Sequence, residues 1–502
     1  MRGSRGAGAQ GGKEPSIDDA LSPAPLPPRP PARPARTYSA VSQWLDLIGE
    51  IAFGLFLVFS LITPSWRYGP FAWLPLWGYD KLAGAPMEVG VANFLPVIAV
   101  LCAALSRLLA RRPWRWGPTA LVAPLLGLTI VGLLHIDLDN FRLAFLHVGM
   151  YGLAWLVYLF VLNERPRLAL PLAVILIIQG VVAIGQFLLQ RDLGLLFLGE
   201  LPLHPAFEGN SVLWARGQPW LRAYGLTAHP NLLGGLLTAV LLLLLPSLPR
   251  SRGWVRAGLI AAVLLGLAGL LLSFSRGSWL ALAAGLAAWW LLARLGRSQQ
   301  TRIPTVAQGK SRWRWLLALT PVLLLLFLYR DLVFSRFFAL DTPIEAQSID
   351  QRLHDAALAI QVIRDAPLTG VGLGYYIDAA QRLDPDAARV HNVGLLVMAE
   401  LGLPGLLFWL WLMLAPFWLL LRGRQAKEPG GRDFYFTYPA AQLAPWVAML
   451  VANTFDTMLW LSSNWQTSIL FALLLSNLAR QIGTGSQGLG SREERSSLEP
   501  SP

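Results

Sequence analysis

The chain has 502 residues, of which 55% are hydrophobic and only 14% charged, with 21 Trp and a mean hydropathy of +0.50. That is too apolar and too poor in charge for an ordinary soluble protein, and it marks a polytopic membrane protein. The formal net charge of +12 sits in short Arg and Lys clusters between apolar runs, as membrane orientation requires, and no recognition motif for nucleic acid accompanies it.

Residues 1–43 form a Pro/Arg-rich tail (SPAPLPPRPPARPARTYS) that cannot bury enough apolar surface to offset the entropy of ordering. Disorder is expected there and over 481–502. No separate apolar h-region precedes the long run at Trp44, so that run reads as an uncleaved first helix rather than a signal peptide. The lone cysteine, Cys102, lies in an apolar run and excludes both a disulfide framework and a thiolate metal site.

A hydrocarbon core of roughly 30 Å takes about 20 residues of helix. On that length residues 44–480 divide into about twelve transmembrane helices, an all-α polytopic fold. In chain order the spans run Trp44–Thr63, Glu88–Leu109, Pro118–His135, Arg142–Leu162, Leu168–Gln190 and Leu226–Leu245. They continue with Ala257–Ser275, Gly277–Ala293, Trp315–Tyr329, Asn392–Leu421, Phe434–Thr457 and Gln466–Ala479. Pro404 and Pro416 predict a kink or tilt in the tenth.

With both termini cytoplasmic, the inner segments hold about twice as many Lys and Arg as the outer ones, and about four times as many once the long loop is set aside. This balance puts the long loop, 330–391, on the extracytoplasmic side between spans nine and ten.

Three outer features stand apart. In RAYGLTAHPNLLGG (Arg222–Gly235), Arg222 precedes a span that opens with His229-Pro230-Asn231, and Gly234-Gly235 allow close backbone approach. On spacing alone Arg222 serves equally as an interfacial anchor and His229 as a polar cap. In LLLSFSRGSWLA (Leu270–Ala281), Arg276 sits at a tight reversal on the outer face. At the bilayer centre it would cost about 2.5 to 3.5 kcal/mol, so it should lean into a wet cavity or snorkel outward. In the long loop, Ser348-Ile349-Asp350-Gln351 has the form of a capping box. The recurrence of Ile349, Leu353, Ala356, Ile360 and Ile363 then predicts an amphipathic helix ending before Pro367. Arg352, His354 and Asp355 fall in its first turns, where an exposed Asp355 to Arg352 pair would be worth little.

The glycines of Gly370-Val371-Gly372-Leu373-Gly374 do not make a dinucleotide loop, because they follow a helix and lack the spacing. Asp137-Leu138-Asp139 and Asp384-Pro385-Asp386 resemble metal-holding acid pairs only at the level of chance, and no metal or other cofactor is assigned.

Taken together, the Arg222 and Arg276 motifs, RLHDAALAIQVIRDAPLTGVGLGYY (Arg352–Tyr376) and HNVGLLVMAELGLPGLL (His391–Leu407) resemble the successive signatures of the O-antigen ligase and O-antigen polymerase superfamily. The resemblance covers roughly residues 44–480. It implies a metal-independent, inverting glycosyltransferase of the inner membrane. Glycan would pass from an undecaprenyl-diphosphate carrier to an acceptor hydroxyl on a glycan, lipid or protein, outside the membrane. His391 then matches the catalytic base, and Arg222, Arg276 and Arg352 match the diphosphate-binding arginines. Tyr224, His229, Asn231 and Glu400 fall in motif positions of a supporting kind.

The roles suit the side chains. A neutral imidazole accepts a hydroxyl proton at neutral pH, and the guanidinium fork matches phosphate oxygens. The alternative is a transporter of a small anion such as bicarbonate, which also favours twelve spans and a label some relatives carry. The gathering of the motif arginines at outer span ends, without an evident internal repeat, favours an anionic headgroup over a midplane transport site.

Overall fold

A computed structural model describes residues 40–62, 74–80, 85–89, 94–136, 141–215, 217–297, 312–338, 343–425, 437–460 and 466–480, and these are mainly helical. The first half contributes α1 (Ala40–Ile62), α2 (Leu95–Leu109), α3 (Thr119–Leu134), α4 (Phe141–Glu164) and α5 (Ala169–Leu189). The middle contributes α6 (Pro230–Leu244), α7 (Gly253–Leu272), α8 (Arg276–Arg297) and α9 (Arg312–Leu328). After these come α10 (Arg330–Phe338), α11 (Pro343–Asp365), the short α12 (Tyr376–Gln381), α13 (Val393–Gln425), α14 (Thr437–Ala452) and α15 (466–480).

Among the described residues, five helical stretches are long and apolar enough to cross a membrane: Ala40–Ile62, Ala169–Leu189, Pro230–Arg250, Gly253–Leu272 and Val393–Leu420. Four further apolar helices are shorter, among them Leu95–Leu109 and Thr119–Leu134. α1 shows why water is not the solvent: Trp44, Ile48, Ile51 and Leu55 are exposed along one face, while Phe53, Phe56 and Leu57 are fully buried on the other. An exposed apolar stripe of that kind belongs against lipid. The chain is an integral membrane protein.

Several expectations are corrected. The fold is not purely helical: β1 (Leu74–Asp80) pairs with β2 (Ala85–Val89), and β3 (Val212–Ala215) pairs with β4 (Gln218–Leu221), both antiparallel. The β3–β4 hairpin joins β-branched and aromatic residues across a turn in which Gly217 takes the left-handed φ of 72° that suits a tight hairpin. α1 starts at Ala40, inside the segment read as tail; residues 1–39 and 481–502 lie outside the described residues.

Ser348 is not the N-cap expected of it, because it lies inside α11, which starts at Pro343, a residue whose fixed φ suits a first helical position. Its buried face is also rotated from the expected one. Asp355, Leu358, Ala359 and Val362 are buried, whereas Leu353 and Ile360 are exposed.

The tenth span bends as expected: α13 breaks at Gly402 (φ 63°, ψ −164°), two residues before Pro404, whose missing N–H leaves the Glu400 carbonyl without a helical donor. Such a φ is open to glycine and strained for other residues. The break frees the carbonyls of Ala399 and Glu400, which accept from the N–H groups of Val371 and Gly372 at 2.9 and 3.0 Å. Leu403 N–H returns to Pro367 O at 3.0 Å. A Cβ on Gly370 would strike the Glu400 carbonyl, and one on Gly402 would strike that of Leu368. The glycine run is therefore a backbone clasp that fastens the end of α11 to the break in α13. It satisfies polar groups that would otherwise be buried without partners.

The helices close around one core. α14 packs along α8, α5 along α7, α1 along α2 and α3 along α13. Trp446, Trp460, Tyr158 and Phe471 are among its fully buried side chains. Close α6 to α8 contact depends on Gly234, where a Cβ would meet Ser278, in keeping with the expectation from Gly234-Gly235.

Candidate functional site

The reversal between α7 and α8 is as tight as expected: α7 ends at Leu272 and α8 begins at Arg276. Phe274 makes the turn with a positive φ of 47°. A bulky residue is costly there, and packing of its ring on Phe187 at 5.6 Å and Trp279 at 6.2 Å holds it in place. Arg276 thereby stands at a helix start facing a polar cavity of about 630 Å³.

Six of the eight residues singled out in the sequence line that cavity: Arg222, His229, Asn231, Arg276, Arg352 and His391. They come from the loop before α6 and its first turn, the start of α8, the middle of α11 and the loop before α13. Arg276 is half-buried and donates to Arg336 O at 3.2 Å, so it leans into the cavity. Arg352 donates to Phe455 O at 3.4 Å.

Arg222 is buried and is held by its whole guanidinium group. Its Nε donates to Ser273 O at 2.8 Å, Nη1 to Ser211 Oγ at 2.8 Å and Nη2 to Asn231 Oδ1 at 2.7 Å. It therefore joins the residue that leads into β3, the α7–α8 turn and the start of α6. The bland reading of Arg222 as an interfacial anchor does not describe it. His229 does act as a cap: extended at φ −158°, it accepts the Asn231 N–H at 3.2 Å through Nδ1.

Tyr224 and Glu400 do not line the cavity. The Tyr224 hydroxyl accepts from Ser211 N–H at 2.7 Å, and the ring meets that of His229 edge-on at 6.1 Å, so it supports two lining residues from behind. Glu400 accepts from Trp460 Nε1 at 2.9 Å, next to the clasp at Gly402.

Burial depresses both histidines. His229 is lowered to about 4 by desolvation and by Arg222. His391 is lowered by desolvation first; Asp456 and Asp355 oppose the shift and Arg352 adds to it. Both are thus neutral near pH 7, the state in which an imidazole nitrogen can take a proton.

Two acidic residues were not foreseen as part of the site. Asp456 was placed inside a span, but α14 ends at Ala452 and Asp456 lies beyond it on the cavity wall. Asp355 was read as an exposed partner of Arg352. It is instead 0% exposed, accepts from Gln351 Nε2 at 3.0 Å, and has Oδ2 3.8 Å from His391 Nδ1. The signal for Asp355 was its place on the same helix face as Leu358, Ala359 and Val362.

Among the described residues no group of three or more His, Cys, Asp or Glu is placed to hold a metal ion. Asp384 and Asp386 form a turn, with Asp384 Oδ1 accepting the Asp386 N–H at 3.0 Å and Oδ2 2.6 Å from His354 Nε2. Asp137 and Asp139 lie outside the described residues. The cavity thus gathers several fixed guanidinium groups beside a neutral imidazole. Cations so placed stabilise an anion, and the imidazole can accept a proton next to it.

Residues 261–410 match the family model described as O-Antigen ligase. The match supports the resemblance carried by the motifs and spans Arg276, Arg352, His391 and Glu400; Arg222, Tyr224, His229 and Asn231 precede it. No curated protein matches the chain.

Proposed function

We propose that the protein is an inner-membrane glycosyltransferase of the O-antigen ligase or polymerase type, moving glycan from an undecaprenyl-diphosphate carrier to an acceptor hydroxyl. The observation that carries this reading is the convergence of Arg222, Arg276, Arg352 and His391, from four separate stretches of the chain, on one cavity. The O-antigen ligase match over residues 261–410 supports the same reading. The transport alternative draws no support from that match.

In this reading His391 removes the proton from the acceptor hydroxyl. The oxygen attacks the anomeric carbon from the face opposite the diphosphate, forming the new glycosidic bond with inversion. The old carbon to oxygen bond breaks, and its electron pair leaves on the diphosphate. Arg222, Arg276 and Arg352 stabilise that growing charge in a low-dielectric site, where fixed donors are worth most. The guanidinium groups do the work a divalent ion would otherwise do. His229 and Asn231 hold the start of α6, Tyr224 supports the loop before it, and Glu400 ties α13 to Trp460.

The topology goes with the chemistry. About twelve spans over 44–480, both termini cytoplasmic and the 330–391 loop outside would put the cavity on the extracytoplasmic face. The bias of Lys and Arg between alternate segments supports that arrangement. Purified protein given a lipid-diphosphate oligosaccharide and, in turn, glycan, lipid and protein acceptors tests the function. Formation of one transferred product, undiminished in EDTA, is expected. Failure to transfer to all three acceptor classes, or loss of transfer in EDTA, overturns it.

A further inference from the structure

α11 carries Arg352 and Asp355 one turn apart, and both side chains reach the cavity wall from the same side. Arg352 lines the cavity; Asp355 lies behind it, fully buried. Asp355 Oδ1 accepts from Gln351 Nε2 at 3.0 Å, whereas Oδ2 has no hydrogen-bond partner among the described residues. Across from it His391 Nδ1 is likewise buried and without a partner. The two atoms are 3.8 Å apart, a few tenths of an ångström beyond a hydrogen bond. The His391 side chain as a whole is 35% exposed, so with Nδ1 buried the opposite ring edge, bearing Nε2, is the one open to the cavity.

A carboxylate kept in a dry interior with one oxygen unmet is expensive. The acceptor faces a ring nitrogen that can donate in one of its tautomers, and such contacts are often long in a site without substrate and tighten when it is filled. We infer that Asp355 is the positioning residue for His391, accepting a hydrogen bond from Nδ1–H and so holding Nε2 unprotonated toward the acceptor hydroxyl.

This inference rests on the reading of His391 as the base. The proton from the acceptor goes to Nε2, Nδ1 keeps its proton, and Asp355 stays a carboxylate throughout, its charge stabilising the imidazolium that forms. The other charged and titratable groups that face the ring are Asp456, Arg352 and His229. None of these is placed behind Nδ1 with an unmet acceptor. Asp355→Asn keeps an acceptor for Gln351 and the volume of the side chain, while removing the charge.

The test uses full-length protein in nanodiscs with ¹⁵N-labelled histidine, comparing wild type with Asp355→Asn and using His391→Ala to assign the ring signals. Wild type is expected to show Nδ1 protonated and Nε2 bare at neutral pH. In Asp355→Asn that tautomer preference is expected to weaken and the titration of His391 to move to lower pH. Transfer by Asp355→Asn is expected to fall at least about tenfold in kcat with KM for the lipid-linked donor little changed. The melting midpoints should agree, which separates positioning from folding. Unchanged ring signals and titration in Asp355→Asn would overturn the pairing. Altered ring signals with undiminished transfer would leave the pairing in place and overturn His391 as base, so the two failures are distinguishable.

Discussion

Arg222 Nη2 donates to Asn231 Oδ1 at 2.7 Å, so an arginine assigned to the donor diphosphate is also a fastening between the loop it lies in and the first turn of α6. Arg222→Ala should therefore affect two quantities at once. It is expected to lower stability by about 2 to 3 kcal/mol, the scale of leaving buried partners of a charged donor unmet, and to raise KM for the lipid-linked donor. Arg222→Lys should recover little, since an ammonium cannot span three partners as the fork does. Thermal melting and donor titration on the same preparations check both.

Arg276 is half-buried and donates to a backbone carbonyl of α10, Arg336 O. Arg276→Ala is expected to change stability by no more than about 1 kcal/mol while lowering kcat/KM about tenfold or more. A melting curve like that of wild type together with a depressed transfer rate is the expected pair of results.

His229 caps α6 as a neutral acceptor and has its pKa lowered from 6.5 to about 4. The folded state thus binds fewer protons than the unfolded state between those values, so stability rises with pH across that window and is lost as pH falls from 6.5 toward 4. His229→Asn replaces the capping Nδ1 with an amide oxygen that accepts without titrating. The drop in melting midpoint between pH 6.5 and 4 should be smaller in His229→Asn than in wild type.

The rate has its own pH dependence. Burial lowers His391 and Arg352 adds to the lowering, so the proposed base stays deprotonated to a pH below the ordinary histidine value, and the acid limb of the pH–rate profile is expected there. Removing the neighbouring positive charge in Arg352→Ala should raise the His391 pKa and move that limb to higher pH. Profiles of kcat/KM for the two proteins decide the point.

Arg222, Arg276 and His391 stood out in the sequence as polar residues at the mouths of apolar runs, but their roles were expected only from the resemblance to the O-antigen ligase and polymerase signatures. Arg352 was legible from its place at the head of a helical pattern. Asp355 was hidden by that same pattern: its spacing from Arg352 suggested a surface pair, and which face of α11 is covered depends on contacts with α12 and α13 that lie far along the chain. Asp456 was hidden because apolar residues on both sides extended a span across it. In α13 the visible breakers, Pro404 and Pro416, masked Gly402. The chain turns at Gly402 because the clasp from 370–374 supplies donors to the carbonyls released there, a tertiary event that local propensity does not record. The β3–β4 hairpin was missed because short strands in a polar outer run lack a long periodic signal.

The clasp gives a prediction of its own. Gly370 and Gly402 have φ of 70° and 63°, and a side chain on either would meet backbone across the contact. Gly402→Ala and Gly370→Ala are each expected to cost about 2 kcal/mol or more, lowering the melting midpoint and the yield of folded protein. An alanine at Gly258, where a Cβ would meet nothing, is the control expected to melt as wild type does.

In the proposed reaction His391, in the cavity walled by Arg222, Arg276 and Arg352, carries the proton in glycan transfer. The most direct test of this is the initial rate of His391→Ala at saturating lipid-linked donor and acceptor, with folding matched by melting midpoint. The predicted result is a loss of at least about a hundredfold with the donor still bound, and a rate within about twofold of wild type would contradict it.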